Sequence, residues 1–257
     1  MALSPDELEQ LREAKRLLET PGLAARLTDL LGKPIEKSVA MLPNKAVDAI
    51  QGIVRTALER ARDTALATIG RSRVGDSSDR MHRLATATTG AVGGFFGMAG
   101  VAVELPVTTI LMLRSIGDIA RSEGHDLGLA ETRLECLEVF ALGGRSPADD
   151  AVETGYYAVR AAMATLVSDA VRHVAERGVA GGPVLVRLLE SIAARFGIVV
   201  QEKVALQMMP AVGAVSGALV NTVFMGHFQN VARGHFVVLR LEKQHGLEVV
   251  RQAYESL

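Results

Sequence analysis

The sequence has no tryptophan, and seven phenylalanines and three tyrosines are its only large aromatic residues in 257 positions. So few aromatic rings leave little for stacking on nucleic-acid bases or for the aromatic belts of membrane-spanning proteins. The single cysteine, Cys136, excludes an intrachain disulfide and fits a reducing compartment. A formal net charge of −1 provides no overall field toward nucleic acid. We therefore expect no nucleic-acid partner and no disulfide-stabilised secreted fold.

Signals for β-structure are also missing. No stretch alternates polar and apolar residues with a period of two, and no Asn-Gly or Asp-Gly turn separates β-branched runs. The first residues are acidic and do not resemble a signal peptide, so we expect a cytoplasmic protein. Ser4 and Glu7 have the spacing of a capping box, and Pro5 suits the first position of a helix. The sequence predicts an all-α protein.

Glycine and proline punctuate the predicted helices. After the N-terminal helix, the sequence predicts helices over residues 23–31, 45–69, 79–89, 126–142, 146–177, 184–194, 198–209, 212–231 and 236–255. We interpret residues 1–257 as a single domain, with N-terminal helices over 1–44 and the main bundle over 45–257.

Two long stretches carry no formal charge, residues 84–103 and residues 204–232. Both are rich in glycine at four-residue spacing, which lets helix backbones approach closely. We predict that each stretch bends into a helical hairpin, with breaks at 104–106 and 209–213, and that these hairpins are the centre of a multi-helix bundle. The resulting arms are mostly shorter than the roughly 20 residues that a spanning helix needs.

These stretches have two interpretations. Basic residues on both flanks of each stretch would place both ends on the cytoplasmic side of a membrane, which favours a re-entrant or interfacial hairpin. A helix that is apolar on all sides is equally typical of the buried core of a soluble bundle. The basic flank is Arg71, Arg73, Arg80 and Arg83, and the candidate membrane contacts are Phe95, Phe96, Met98, Leu105, Leu111 and Phe224.

Polar residues recur at helical spacing after the first stretch, where Glu104 is followed by Thr108, Ser115 and Asp118 on a shared face. Such a polar seam could receive a lipid head group or a proton, or it could be a satisfied buried network that fixes helix register. The candidate seam or ligand site comprises Glu104, Thr108, Arg114, Asp118, Glu138, His227 and Arg233.

Three acids, Glu131, Glu135 and Glu138, share one face of a predicted helix. They indicate either a cation site or a solvated acidic face. A di-iron bundle would need two Glu-x-x-His motifs, and the sequence has one, from Glu242 to His245. We find no catalytic triad, phosphate loop or dinucleotide fingerprint, so we predict no catalytic residues, metal or cofactor.

Four blocks, in order, resemble the bacterial EcsC family: GGFFGMAGVAVELPVTTILMLRSIGDIAR (93–121), ETRLECLEVFALGG (131–144), DDAVETGYYAVR (149–160) and residues 196–241. The resemblance implies a protein of unestablished activity, from a family named after a gene beside an ABC exporter, and it brings no catalytic set. The matched positions most worth testing are Glu104, Arg114, Asp118, Glu131, Arg133, Glu138, Arg160, His227 and Arg233.

Our leading hypothesis is a non-enzymatic cytoplasmic protein that associates with the inner face of the membrane. Its partner would be lipid or a membrane-protein complex such as an ABC transporter, and it could form a homo-oligomer. One alternative is an enzyme with a hydrophobic substrate that uses Glu104 or Asp118 as acid or base. Another is a soluble helical module that binds a protein partner.

Overall fold

A computed structural model describes most of the chain, namely residues 3–19, 23, 28, 39–68, 97–144, 155–177, 182–207 and 213–257. The basic flank (Arg71, Arg73, Arg80 and Arg83), Phe95, Phe96 and the predicted helix 79–89 lie outside these residues, as does most of 23–31. The backbone of Met98 is described, but its side chain is not.

Helices make up the secondary structure of the described residues, which contain no strand. In chain order they are α1 (Pro5–Glu19), α2 (Asn44–Thr68), α3 (Gly97–Ser122), α4 (Ala130–Leu142), α5 (Gly155–Arg177), α6 (Pro183–Gln207), α7 (Gly213–His245) and α8 (Leu247–Ser256). The prediction of an all-α multi-helix bundle is confirmed.

The start of α1 follows the predicted capping box. The Ser4 backbone N–H donates to Glu7 Oε2 at 2.7 Å, and the Glu7 N–H donates to the Ser4 hydroxyl at 3.3 Å. These two bonds satisfy backbone donors that a helix N-terminus otherwise leaves without partners. The N-terminal boundary of α1 could therefore be predicted from three residues of sequence.

Helix α3 contradicts the predicted break at 104–106. It continues through Pro106, which lies inside the helix. Proline removes one backbone hydrogen bond, but the surrounding side chains of Leu105, Met112 and Ile116 are fully buried. Packing on this scale outweighs the local preference of proline to end a helix.

Helices α6 and α7 also continue where the sequence predicts breaks, near 195–197 and 232–235. The glycines there mark close contacts between helices. A Cβ on Gly197 would lie 2.5 Å from the Gln51 side chain, and a Cβ on Gly234 would lie 2.7 Å from Leu18 of α1. Helix α7 ends at His245, immediately before Gly246, whose φ of 91° favours glycine.

The second predicted break falls largely outside the described residues, since α6 ends at Gln207 and α7 begins at Gly213. Residues 84–96 lie outside them as well. The first Gly-rich hairpin does not form with its break at 104–106, because α3 is continuous there. The second hairpin and the division of the chain at residue 44 stay predictions.

The core forms where α4, α6 and α7 meet. The Phe140 ring lies 4.9 Å from the Phe196 ring and 5.4 Å from the Phe228 ring, measured between centroids. Phe224 joins the same cluster at 5.3 Å from Phe228. Aromatic pairs at these distances contribute about 0.5–1.5 kcal/mol each beyond their buried area. Around this core, α2 packs against α3 and α6, while α7 packs against α1 and α3.

By length and hydropathy, one segment of the described chain, Gly100–Ser122 in α3, could cross a membrane. Within that segment, 67% of the most apolar window is buried against the rest of the protein. Of the candidate membrane contacts, Leu105 and Phe224 are fully buried and Leu111 is partly buried against the core. In this structure, Leu105 and Phe224 have no surface with which to touch lipid.

Candidate functional site

Helices α4 and α5, the C-terminal part of α7, and α8 enclose an open-sided pocket of about 480 Å³. Three acids line one wall, and small or branched apolar residues line most of the other. The lining residues are Glu131, Glu135, Glu138, Tyr157, Ala158, Arg160, Ala161, Ala164, Val167, Ser168, Val171, Leu239, Leu247 and Arg251. A concave site with an apolar wall and a few convergent polar groups is typical of ligand-binding pockets.

The three acids of α4 form a row that descends into the pocket. Glu131 is exposed, Glu135 is partly buried, and Glu138 is 5% exposed. They occupy successive turns of one helical face and span about 10 Å at the helical rise of 1.5 Å per residue. We call Glu131, Glu135 and Glu138 the acid row.

None of the acid-row carboxylates has a hydrogen-bond or ion-pair partner within the described part of the chain. The two arginines of the pocket are engaged elsewhere. Arg160 holds Glu242 through two hydrogen bonds of 2.7 and 2.9 Å, and Arg251 pairs with Glu255 at 2.8 Å. The carboxylates of the acid row therefore have no direct ion-pair partner, although the charge of Arg160 favours the ionised forms of Glu135 and Glu138 without contacting them.

Burial shifts the titration of the two deeper acids. Loss of solvent raises the pKa of Glu135 to about 7, and the neighbouring charges of Glu131 and Glu138 add to this effect. Burial likewise raises the pKa of Glu138 to about 7, although the Arg160 guanidinium opposes the shift. Near neutral pH, both carboxyls are poised between their protonated and ionised forms.

The opposite side of the pocket is held by a network between α5 and α7. The Tyr157 hydroxyl donates to Glu242 at 3.0 Å, and the Tyr156 hydroxyl is hydrogen-bonded to His235 Nδ1 at 2.9 Å. The Arg160 guanidinium lies 5.4 Å from the centre of the Tyr156 ring. These contacts fix Arg160 and Tyr157, so this wall of the pocket is formed without a ligand.

The predicted polar seam is a separate feature in the core. Lys203 donates to the Glu104 carboxylate at 2.6 Å, and Asn221 donates to the same oxygen at 2.7 Å. The Lys203 ammonium also lies 4.9 Å from the centre of the Phe224 ring. Burial lowers the pKa of Lys203, and the Glu104 charge counteracts part of that effect. This buried ion pair joins α3, α6 and α7.

Further along α3, the seam makes a second contact with α7. Gln229 donates to the Ser115 hydroxyl at 2.8 Å. Residue numbers rise together in the two contacts, Glu104 with Asn221 and Ser115 with Gln229, so α3 and α7 run in the same direction here. The seam is therefore a set of buried polar contacts that hold two core helices together.

The remaining predicted site residues are dispersed. Thr108 is fully buried, and Arg114 is exposed on the same helix. Asp118 pairs with Arg121 at 3.1 Å near the surface. Glu104 and Asp118 lie about 21 Å apart along α3, by the rise of 1.5 Å per residue. They share no site, and neither lines the pocket, so the described residues give no support to the enzyme hypothesis.

The last two predicted residues lie on α7. The His227 ring donates to the Gly143 carbonyl at 2.8 Å, which makes it a buried histidine with a satisfied hydrogen bond. Arg233 is partly exposed. Only Glu138, of the seven residues in the predicted set, lines the pocket.

On the other side of the pocket, sequence reasoning singled out Arg160 through the family resemblance but missed Tyr157 and Arg251. Tyr157 on α5 lies 85 positions before its partner Glu242 on α7, and Arg251 follows on α8, so no helical spacing connects Tyr157 with the other two. The acid row itself was visible at four- and three-residue steps. Its burial gradient was not, because it depends on how α5 and α7 pack. No cluster of three or more His, Cys, Asp or Glu side chains suited to a metal ion occurs among the described residues.

Comparison with known proteins gives one match. The model of the EcsC protein family matches residues 6–241. No curated protein and no solved structure matches the chain. The family match covers nearly the whole sequence, including both the acid row and the buried ion pair, so this chain belongs to the EcsC protein family.

Proposed function

We propose that this protein is a non-enzymatic cytoplasmic protein that attaches peripherally to the inner face of the membrane, where it acts on lipid or a membrane transporter. The observation that carries the proposal is an exposed apolar face at the start of α3, formed by Val103 and Val107. Val103 is 74% exposed and Val107 is 45% exposed. Their four-residue spacing places them on one side of the helix.

The sequence around these valines supports a lipid contact. In the described part of α3, Glu104 is the sole charged residue before Arg114, and it faces inward toward Lys203. The uncharged sequence continues upstream to residue 84. An apolar face at the end of such a stretch suits shallow insertion into the boundary between head groups and acyl chains.

Peripheral attachment fits the packing of α3 better than a transmembrane span. Leu105, Met112 and Ile116 of α3 are fully buried in the core. A span would require α3 to leave α2 and α7, which would expose this surface and separate Glu104 from Lys203. The cost of leaving an uncompensated buried charge is about 3–5 kcal/mol.

Flotation with liposomes tests this proposal. We expect the wild-type protein to float with vesicles, and the double variant Val103→Glu/Val107→Glu to bind about ten-fold more weakly or worse, because it loses two apolar contacts. Val186→Glu is the matched control, since Val186 is 48% exposed and lies about 25 Å along α6 from Lys203. Neutral and anionic vesicles separate the apolar contribution from charge attraction.

Cell fractionation gives an independent measurement. Peripheral attachment predicts that the expressed protein sediments with membranes and that alkaline carbonate releases it. Retention through carbonate would show stable insertion and overturn the peripheral arrangement. A wholly soluble protein that ignores both kinds of vesicle would overturn membrane association altogether.

A further inference from the structure

We propose that the pocket between α4, α5 and α7 is a binding site for a linear aliphatic diamine or polyamine, whose ammonium groups pair with Glu131, Glu135 and Glu138. This assignment does not depend on membrane attachment. Its starting point is Glu138, a carboxyl that is 5% exposed, lines the pocket and has no hydrogen-bond or ion-pair partner in the described structure. Because its side chain opens on the pocket, the ionised carboxylate depends on water or a ligand in the pocket for its partner.

The spacing of the acid row selects the shape of the cation. Successive carboxylates are three or four residues apart, which is about 4.5–6 Å along the helix. An extended chain of four methylene groups separates its two nitrogens by a similar length. A flexible diamine can therefore place one ammonium beside Glu138 at the bottom of the pocket and the other beside Glu135 or Glu131 nearer its mouth.

The opposite wall suits the methylene chain. Ala161, Ala164 and Val167 of α5, with Leu239 of α7, present small or branched apolar side chains to the pocket. Burying methylene groups against such a wall is worth about 0.8 kcal/mol each. A compact, strongly hydrated divalent cation would gain nothing from this wall. The acid row also does not form a cluster suited to a metal ion.

The arginines of the pocket do not oppose the proposed cation strongly. Arg160 is neutralised by Glu242, and Arg251 by Glu255, through the ion pairs described above. With these two pairs balanced, the acid row is the remaining charge at the site. An incoming diammonium ion would supply the direct ion-pair partners that the acid row lacks.

Binding should depend on pH with a definite sign. The charged or titratable groups around Glu138 are Glu131 and Glu135 on its own helix, Tyr156, Tyr157 and Arg160 on α5, Glu242 on α7 and Arg251 on α8. An alkylammonium group, with a pKa near 10, stays charged at neutral pH. Because burial raises the pKa of both Glu135 and Glu138 to about 7, affinity should increase from pH 6 to pH 8 as these carboxyls ionise.

Isothermal titration calorimetry of the full chain at pH 8 and low salt tests the assignment. The titrants are butane-1,4-diamine, spermidine, the monoamine 1-aminobutane, and magnesium chloride. We expect saturable binding of the diamine and spermidine, at least about ten-fold tighter than the monoamine, since a second charge-assisted contact is worth a factor of that size. Binding should weaken at pH 6.

Two pocket variants and one control locate the site. Glu138→Gln removes the deepest charge while keeping the shape of the side chain, and it should weaken diamine binding about ten-fold or more. Glu135→Gln should have a similar effect and serves as a second test if the first variant folds poorly. Glu176→Gln changes an exposed acid at the end of α5, away from the pocket, and should leave affinity unchanged.

Each remaining outcome would overturn the assignment. Absence of diamine binding by the wild-type protein rejects the site. Equal affinity for the monoamine, or undiminished binding by both pocket variants, would show non-selective attraction to acidic surface. Magnesium binding that matches the diamine and is lost in Glu138→Gln would assign the acid row to a metal ion instead.

Discussion

The buried ion pair and the acid row both place glutamates in apolar surroundings. They differ in whether another side chain pairs with the carboxylate. Glu104 meets Lys203 at 2.6 Å and Asn221 at 2.7 Å, and all three side chains are buried in the core. Glu138 is equally buried but opens on a pocket and has no such partner. The Glu104 carboxylate is paired within the core and holds helices together, whereas the Glu138 carboxylate faces a pocket without a direct partner. This contrast is the reason for which we propose a cation site at Glu138 and a structural role for Glu104.

The largest expected effect on stability comes from removing one partner of the buried ion pair between Glu104 and Lys203. Lys203→Met leaves Glu104 buried without its counter-charge, which should lower the free energy of unfolding by about 3–5 kcal/mol. Urea titration followed by circular dichroism measures this change. The double variant Glu104→Leu/Lys203→Met removes both charges and should recover much of the loss. If the single and double variants were equally destabilised, the ion pair would owe its effect to side-chain shape.

Glu138→Gln should change stability in the opposite direction. The pKa of Glu138 is raised from 4.5 to about 7, so between these values the folded protein holds a proton that the unfolded chain has released. Stability therefore falls as pH rises from about 4.5 to 7 and then levels off. At pH 8, Glu138→Gln should be more stable than wild type by about 2–3 kcal/mol.

The pH dependence of that difference is the check. Unfolding free energies of wild type and Glu138→Gln should nearly coincide at pH 4 and diverge above pH 5. Glu176→Gln, on an exposed position, should follow wild type throughout. A constant difference across the pH range would mean that Glu138 acts through packing and not through its charge.

The sequence predicted the parts of this fold that depend on local chemistry. The capping residues Ser4 and Glu7 located the start of α1, and residues 45–69 predicted α2, observed over Asn44–Thr68, to within one residue at each end. Glycine was the main source of error. Gly197 and Gly234 resemble helix ends in sequence but mark close approach to α2 and α1. Only the neighbouring helix distinguishes the two roles.

The site was harder to predict because its members are distant in the chain. The acid row is visible at helical spacing, but Glu104 and Lys203 lie 99 positions apart, and Arg160 and Glu242 lie 82 apart. The residues next to each glutamate in the sequence do not indicate whether its carboxylate is paired in the folded protein. That distinction is set by tertiary packing, which brings Lys203 to Glu104 and leaves Glu138 facing a cavity.

Substitution of Glu131 should have the smallest effect on stability, and it serves as a control for the substitution of Glu138 within the acid row. It belongs to the same helical face as Glu138 but is exposed to solvent. Glu131→Gln should alter the free energy of unfolding by no more than about 0.5 kcal/mol at any pH, as is usual for surface substitutions. Glu131→Gln should still weaken spermidine binding measurably, because spermidine is long enough to reach Glu131 at the mouth of the pocket. Butane-1,4-diamine is shorter and can bind through Glu135 and Glu138 alone. If Glu131→Gln stabilised the protein as much as Glu138→Gln, repulsion among the three acids would explain the row, and burial of Glu138 would not.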